Sequence, residues 1–325
     1  REYKKAKMDD TKEDEGYDVV EHFRRLIESE PTLEKAVAAI QSLLLVVKHS
    51  KASTIMGLQV DLKAATDRLI TFDENPSSVS LKAGCELFNI HVNRTSLDFP
   101  DIHECISKIV ARGDDFAQMS MKSRMKIAKF GAQFIVNGCV VFTHGYSRVV
   151  CGLLTFAAKI GKQFSVVVCE GRPNGTGYKT AKFLISKSIP VKLVADVGVS
   201  VAMEKVDFVL VGANGVVESG GIISQIGTYQ MAIIAKALKK PFYVASESYK
   251  FARLYPLSQN DLPETKRQLP LPPSAEHHIP DDEPLFTVSN PSSDYTPPSF
   301  ISLLFTDLGV LTPSAVSDEL IQLYS

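Results

Sequence analysis

The sequence predicts an α/β protein in which an N-terminal helical domain is followed by a doubly wound, mostly parallel, Rossmann-like sheet domain. Two observations support this prediction. From residue 18 to residue 138 the apolar residues recur at helical spacing, and beyond residue 138 short apolar runs alternate with amphipathic segments of helix length. The second pattern is typical of buried parallel strands joined by crossover helices. The predicted domains are 18–138 and 139–325, after a charged and polar leader at 1–17 that we expect to be disordered.

The helical domain is predicted from apolar residues that share one face of each helix, namely Ala36, Ile40, Leu43, Leu44 and Val47, then Leu58, Leu62, Ala65 and Leu69. The same periodicity continues over residues 121–134. Turn signals at 73–76 and at 112–114 are predicted to separate the helices.

Five apolar runs are predicted to form fully buried parallel strands, namely Cys139–Thr143, Phe164–Cys169, Val191–Ala195, Phe208–Val211 and Phe242–Ala245. Three segments between them have the pattern of crossover helices, namely Val149–Ile160, Tyr178–Lys187 and Thr228–Lys239. In such a sheet the ligand crevice lies outside the carboxyl ends of the strands. The candidate site residues are therefore the polar ones that follow the strands: His144, Glu170, Arg172, Asp196 and Asn214.

Residues 260–298 interrupt the pattern, because they are rich in proline, serine and acidic side chains. This composition predicts a long solvated loop or a partly disordered insertion in the sheet domain. The apolar run Phe300–Phe305 and a short terminal helix follow, and we expect them to pack on the sheet or on a partner.

The bulk composition excludes several classes of function. A chain of 325 residues that is 45% hydrophobic can bury a core without disulfides or metals. Its net charge of -1 lacks the basic footprint of a nucleic-acid-binding protein, and no apolar run is long enough to span a bilayer, so neither nucleic acid nor membrane is a predicted partner. The five cysteines form no CxxC pair and no histidines cluster with them in the sequence, so we predict no metal and expect reduced, buried thiols in the cytosol.

The glycine-rich loop Gly171–Gly177 lies between a predicted strand and a predicted helix. Its backbone N–H groups and the helix N-terminus would suit a phosphate. The loop matches neither GxGxxG nor GxxxxGK[ST], and a tight turn without a ligand explains the glycines equally well. Both interpretations stay open.

Several segments together resemble a superfamily that joins methylthioribose-1-phosphate and ribose-1,5-bisphosphate isomerases to the regulatory subunits of translation initiation factor 2B. The resemblance covers nearly all of residues 18–325 outside the proline-rich insertion, and the segments that carry it are Thr143–Val150, Met203–Asp207, Val209–Ala213, Gly215–Ile223, Lys240–Val244, Ala36–Ile40 and Ile301–Leu323. Within the superfamily the chain resembles the alpha-type regulatory subunits.

The resemblance also implies that isomerase chemistry is missing. In the isomerases a cysteine directly after Thr-His and an aspartate directly after Gly-Ala move protons between two carbons, and the matching residues here are Gly145 and Asn214. Neither residue can exchange a proton near neutral pH, so we predict no catalytic residues.

The resemblance further implies a vestigial ligand pocket. The isomerases carry Asn-Lys near their substrate phosphate, where this chain has Ser224 and Gln225, and losing a cation weakens phosphate binding. His144, Arg172 and Thr228 are retained. The pocket is predicted to consist of these residues with Gly145 and Asn214, and its expected ligand, if one binds, is a sugar phosphate or a nucleotide monophosphate.

The function that the resemblance implies is that of a non-catalytic regulatory subunit of the guanine-nucleotide exchange factor for translation initiation factor 2. Alpha-type subunits dimerise to bridge two halves of a decamer that also contains beta, gamma, delta and epsilon subunits, and they sense the phosphorylated alpha subunit of factor 2. A sugar-phosphate or nucleotide sensor and a residual isomerase are the alternatives.

Two surfaces follow from this implied function. A dimer through the sheet domain is expected to bury Ile301–Phe305, since two-fold pairing is the commonest symmetry of soluble oligomers. Ser53, Thr54 and Leu58, at a predicted helix start, match the part of the family that faces factor 2. A helix N-cap is the alternative role for the two hydroxyl side chains.

Overall fold

The computed structural model describes residues 18–30, 33–72, 79–262 and 289–324, with the backbone alone at 112–121 and 324. The predicted leader, the turn signal at 73–76 and most of the proline-rich insertion lie outside these residues. In the part that is described, helices come first and a mostly parallel sheet follows, which confirms the predicted fold class.

The N-terminal region of the described chain contains five helices: α1 Val19–Ser29, α2 Lys35–His49, α3 Ile55–Phe72, α4 Val79–Asp98 and α5 Ile102–Gly131. Helix α2 is central, because it packs against each of the other four. A Cβ atom added to Gly84 on α4 would lie 2.8 Å from the Cβ atom of Ala36 on α2, so these two helices approach closely. The helical periodicity in the sequence therefore reflects a real core, in which Leu43, Leu58 and Phe88 are fully buried.

The predicted turn at 112–114 was wrong, because α5 runs through it without a break. A glycine in a helix interior costs about 1 kcal/mol, and the packing at both ends of this helix of 30 residues outweighs that cost. Cys105 and Ile109 pack in the helical core, whereas Ile127 and Ala128 pack against the sheet. Helix α5 thus joins the two regions of the chain.

Eleven strands occur in the described residues: β1 Val140–Thr143, β2 Ser165–Cys169, β3 Val191–Val194, β4 Phe208–Gly212, β5 Gly215–Val217, β6 Ile222–Gln225, β7 Phe242–Ala245, β8 Phe251–Ala252, β9 Ser293–Thr296, β10 Leu303–Phe305 and β11 Val310–Leu311. Seven of them form the main sheet in the order β11–β10–β7–β4–β1–β2–β3. All neighbours in this sheet are parallel except β10 and β11.

Helices cover both faces of the main sheet, namely α6 Arg148–Lys159, α7 Thr176–Ile185, α8 Val199–Met203, α9 Thr228–Ala237 and α10 Val316–Tyr324. Leu153 of α6 and Leu184 of α7 pack in one core with the end of α5. Met203 of α8, Met231 of α9 and Leu320 of α10 pack in a separate core that includes Phe142 and Val209 of the sheet. The sheet is therefore doubly wound, as predicted.

The five predicted strands are all present, with ends that differ by one residue at most. One of them, β3, is not fully buried as predicted, since Lys192 and Leu193 are exposed. The reason is its position at the edge of the sheet, where it has β2 as a neighbour on one side only.

A second sheet, in the order β8–β5–β6–β9, was not predicted. Strand β9 lies inside the predicted solvated insertion, yet all four of its residues are buried and it pairs antiparallel with β6. The prediction of a solvated loop was therefore wrong for Ser293–Thr296. The ladder with β6 satisfies the backbone of these polar residues, so burial costs less than their composition suggests.

The C-terminal run packs on the sheet, as expected, because β10 pairs with β7. Ile301, Leu304 and Phe305 are 6%, 0% and 1% exposed within this single chain. The expectation that Ile301–Phe305 supplies a subunit interface was thus wrong, because its apolar side chains are already used in the core. All five cysteines are free and buried. Of the helices in the described ranges, none has the length and apolar character needed to cross a membrane.

Candidate functional site

The candidate site lies along the carboxyl edge of the main sheet. His144 follows β1, Glu170 and Arg172 follow β2, Asp196 follows β3, and Asn214 follows β4. Because these strands are parallel, their carboxyl ends meet at one edge, and the structure places all five residues where the strand pattern predicted.

His144 is almost completely buried and its Nε2 atom lies 2.8 Å from the carbonyl oxygen of Ile226. A carbonyl oxygen only accepts, so Nε2 carries the proton and Nδ1 keeps a lone pair. Burial lowers the pKa of His144, which keeps the ring neutral at physiological pH. The imidazole is therefore fixed in both orientation and tautomer.

Gly145 and Gln225 share the next part of the edge. Gly145 has a positive φ of 69°, and its carbonyl oxygen accepts a hydrogen bond of 2.6 Å from Thr180 Oγ1. A Cβ atom at position 145 would lie 2.7 Å from Gln225 Oε1, which itself accepts a 2.8 Å hydrogen bond from Thr176 Oγ1. The Gln225 side chain thus fills the space between Gly145 and the glycine-rich loop.

The glycines of that loop each meet a backbone requirement. Gly171 and Gly175 have positive φ values of 73° and 61°. A Cβ atom on Gly177 would lie 1.7 Å from the carbonyl oxygen of Cys169, so only glycine fits where α7 begins. The tight turn therefore accounts for the glycines without a ligand.

The backbone N–H groups at the start of the loop are already occupied. The two carboxylate oxygens of Asp196 accept hydrogen bonds from Gly171 N at 3.0 Å and from Arg172 N at 2.7 Å. The Arg172 side chain is half exposed and pairs with Glu170 at 2.9 Å. A phosphate would have to compete with Asp196 for these donors.

The remaining predicted pocket residues support the turn into the second sheet. Asn214 donates its backbone N–H to Ile223 O at 2.9 Å, and Ser224 Oγ donates to Gly212 O at 3.1 Å. Thr228 Oγ1 donates to Gln225 O at 2.7 Å, next to the start of α9. All three of these hydrogen bonds are to the chain's own backbone.

Five charged side chains that the sequence reasoning missed form a largely buried group, which we call the seam cluster: Glu34, Arg124, Arg148, Glu247 and Lys250. Glu34 and Arg124 come from the helical region and the other three come from the sheet region. Arg148 lies 2.7 Å from Glu34, Lys250 lies 2.9 Å from Glu247, and Arg124 lies 3.2 Å from Glu247. With three cations and two carboxylates, the cluster carries one excess positive charge.

The electrostatics of the seam cluster keep Glu247 and Lys250 ionised. Burial alone would raise the pKa of Glu247, but Lys250 and Arg124 outweigh it and lower that pKa to about 2. Burial would likewise lower the pKa of Lys250, but Glu247 and Glu34 outweigh it and raise the value. No local motif indicates this cluster, because Lys250 and Glu34 are 216 residues apart in the sequence.

Asp294, on β9, is a second missed residue. Its Oδ2 atom accepts hydrogen bonds from Gly227 N at 2.8 Å and Tyr229 N at 3.0 Å, at the N-terminus of α9. Burial raises the pKa of Asp294 to about 7, against the opposing effect of these hydrogen bonds. An acidic residue in a proline-rich, polar stretch gives no sequence signal for this role.

The predicted partner-facing residues lie in the helical region. Ser53 and Thr54 are exposed, and Thr54 Oγ1 accepts a hydrogen bond of 3.1 Å from Gly57 N, as an N-cap residue of α3 does. Leu58 is 0% exposed and belongs to the helical core, so its prediction as a partner-facing side chain was wrong.

A model of the Initiation factor 2 subunit family matches residues 28–313, which is most of the sequence. The chain belongs to the initiation factor 2 subunit family. This member of the family is 48% identical over 310 residues to translation initiation factor eIF2B subunit alpha of Dictyostelium discoideum, and the match covers 94% of this chain and 96% of that protein.

More distant relatives of this family member fit the predicted superfamily. It is 31% identical over 287 residues to ribose 1,5-bisphosphate isomerase of Pyrococcus furiosus, which covers 88% of this chain and 87% of the isomerase. Among solved structures, the tetrameric eIF2B-beta2-delta2 complex from C. thermophilum matches with a TM-score of 0.73 at 20% identity, over 94% of each chain. The sequence matches confirm the predicted resemblance, and the structural match shows the shared fold.

Proposed function

We propose that this protein is the alpha-type regulatory subunit of the guanine-nucleotide exchange factor for translation initiation factor 2, and that it is not itself an enzyme. The observation that carries the proposal is the 48% identity to an eIF2B alpha subunit over nearly the full length of both chains. The match covers 96% of that relative, so nearly all of its sequence has a counterpart in this chain.

The chemistry of the sheet edge supports a non-catalytic role. Gly145 and Asn214 offer no side chain that could carry a proton between two carbons. The positive φ of Gly145 and the adjacent Gln225 side chain also disfavour a cysteine at position 145. The neutral His144 donates its Nε2 proton to Ile226 O, and the Asp196 carboxylate accepts hydrogen bonds from the loop backbone.

Self-association through the sheet region is the second part of the proposal. The segment Ile301–Phe305 is buried within the chain, so another apolar surface has to serve. Val197, in the turn before α8, and Val201, within α8, are 92% and 69% exposed. Neighbouring apolar side chains with this exposure are favourable sites for a two-fold contact, in which the same patch pairs with itself.

The helical region is proposed to contact initiation factor 2 and to sense its phosphorylated alpha subunit. Ser53 and Thr54 are exposed at the start of α3, and Met56 and Val60 beside them are 74% and 63% exposed. These four side chains, without the buried Leu58, form the candidate contact surface. Large apolar side chains with polar neighbours are the composition that a protein contact needs.

The experiment that tests the function is reconstitution with the beta, gamma, delta and epsilon subunits. We expect a native mass with two copies of each subunit, and GDP release from factor 2 that phosphorylated factor 2 inhibits only when this chain is present. Equal inhibition without the chain, or recovery of the chain as a lone dimer from its own cell lysate, would contradict the proposal.

Two variants separate the proposed surfaces. Val201→Glu should split the assembly into halves, whereas Leu97→Glu, which alters an 83% exposed side chain on α4, should leave the native mass unchanged. Thr54→Lys should weaken inhibition by phosphorylated factor 2 in an intact complex. Thr54→Ala is its control, because it removes the same helix cap without adding a charge.

A ligand-sensing pocket is a second candidate function, which the 31% identity to a ribose 1,5-bisphosphate isomerase favours. Calorimetry with sugar phosphates and nucleotide monophosphates tests it, and the absence of heat would remove it. Incubation with ribose-1,5-bisphosphate and methylthioribose-1-phosphate tests for residual isomerase activity. We expect no conversion above a control without protein.

A further inference from the structure

Three side chains with metal-binding atoms meet at the carboxyl edge of the sheet. His144, Cys169 and Asp196 each offer one ligand atom, and these atoms all lie within 4.8 Å of one another. The strand register explains the meeting, because Thr143 is level with Val168 and Cys169 is level with Val194. His144 is therefore beside Cys169, Asp196 comes two residues after Val194, and the alternation of side chains puts all three on one face.

Neighbouring groups hold two of these side chains ready for a metal. The hydrogen bond from Nε2 of His144 to Ile226 O leaves Nδ1 unprotonated, as a metal ligand must be. The Asp196 carboxylate is fixed by the backbone N–H groups of Gly171 and Arg172. Hydrogen bonds between a ligand side chain and the surrounding protein typically orient the ligands of metal sites.

The combination of donor atoms favours one class of metal. An imidazole nitrogen, a thiol and a carboxylate form a mixed set that suits zinc, whereas magnesium and calcium prefer oxygen ligands alone. Donor atoms around a tetrahedral zinc ion lie roughly 3–4 Å apart, so a movement of about 1 Å closes the observed group around an ion.

We propose that His144, Cys169 and Asp196 form a zinc site with an open fourth position. Binding releases the thiol proton of Cys169 to solvent, and the thiolate and the Asp196 carboxylate then neutralise the two positive charges of the ion. Charge neutrality matters here, because His144 and Cys169 are buried and an unpaired charge among them would be costly. Asp196 is half-buried, so it is the most solvent-accessible of the three ligands.

The test uses the full chain after a chelator has removed any bound metal. One sample is titrated with Co²⁺ to record its spectrum, and a second sample is dialysed against Zn²⁺ to count bound ions. We expect one ion per chain and a sulfur-to-cobalt charge-transfer band in the near ultraviolet. Less than a tenth of an ion per chain, or bound cobalt without the sulfur band, would overturn the proposal.

Variants locate the site within the chain. Cys169→Ser should abolish the charge-transfer band, and Asp196→Asn, at a half-buried position, should weaken cobalt binding tenfold or more. Cys151→Ser is the matched control, because Cys151 is an equally buried thiol on α6. A band that persists in Cys169→Ser, or that disappears in Cys151→Ser, would assign the metal to other residues and refute the site. Metal binding is measured on the isolated chain, so its outcome is independent of the proposed role in nucleotide exchange.

Discussion

Replacing Glu247 by glutamine should destabilise the protein strongly at neutral pH and less at acidic pH. The Glu247 side chain is 0% exposed, and it lies 2.9 Å from Lys250 Nζ and 3.2 Å from Arg124 Nε. Tyr249 also donates a hydrogen bond of 3.0 Å to it. A neutral glutamine keeps the shape of the side chain but leaves two cations of the seam cluster without their main counter-charge.

The magnitude follows from two separate arguments. The pKa of Glu247 is lowered from 4.5 to about 2, and at 1.36 kcal/mol per pKa unit this is a stabilisation of about 3 kcal/mol at pH 7. Removing one partner of a buried ion pair typically costs about 3–5 kcal/mol. Because the folded-state pKa is the lower one, the stabilisation is complete above pH 4.5 and is lost as the pH falls towards 2; about half remains near pH 3.

Urea unfolding of wild type and Glu247→Gln at pH 7 and pH 3 measures this prediction, provided that both proteins show the same dependence on urea. Glu28→Gln is the control, because Glu28 is an exposed acidic residue on α1. The double variant Glu247→Gln with Lys250→Met should lose less stability than the two single variants added together, since it leaves no unpaired charge between them. A loss below 1 kcal/mol at pH 7, or an equal loss at both pH values, would refute the reasoning.

Three further predictions concern single positions. The folded-state pKa of Asp294 is raised from 3.8 to about 7, so its contribution to stability is complete below pH 3.8 and is lost as the pH rises through 7. Between pH 4 and pH 8, the wild type should therefore lose up to about 4 kcal/mol of stability relative to Asp294→Asn. Thermal unfolding measures this, and parallel pH profiles of the two proteins would contradict it. Gly177→Ala should destabilise the protein by about 3 kcal/mol or more, because the added Cβ atom meets Cys169 O. Gly152→Ala in α6 should instead stabilise the protein by about 0.4–1 kcal/mol, because a Cβ atom there meets nothing within 4 Å. Gly145→Ala should destabilise the protein, because the added Cβ atom contacts Gln225 Oε1 and because position 145 has a positive φ. Adding Gln225→Ala should recover part of the lost stability. Strictly additive losses in denaturant unfolding would show that the two side chains do not meet.

The strand pattern predicted the main sheet and the residues along its carboxyl edge. Runs such as Phe164–Cys169 and Phe242–Ala245 are apolar at successive positions, because strands inside a doubly wound sheet are buried on both faces. The polar residues that end these runs were therefore predicted to share the carboxyl edge, and they do. Their partners could not be predicted, because hydrogen bonds such as that from His144 to Ile226 join parts of the chain 82 residues apart.

The predictions that failed are those in which contacts with distant residues outweigh local composition. Residues 112–114 resemble a turn, but a helix that packs at both ends continues through them. Ser293–Thr296 resemble a solvated loop, but pairing with β6 buries them. Leu58 lies next to polar residues at a helix start and was predicted to face a partner. The helical periodicity that includes Leu58 predicted instead a core residue, and Leu58 is buried.

By itself, the sequence determined the fold class, the strand positions and the superfamily, since each of these depends on residue type and short-range order, and it placed a glycine and an asparagine at positions 145 and 214. Only the tertiary structure decided what surrounds those positions. The seam cluster joins Glu34 to Lys250, the Gln225 side chain fills the space beside Gly145, and His144, Cys169 and Asp196 meet across three strands. Such groups arise when the register of the sheet and the packing of α5 bring distant residues together, and the energy of each charge depends on its neighbours in space.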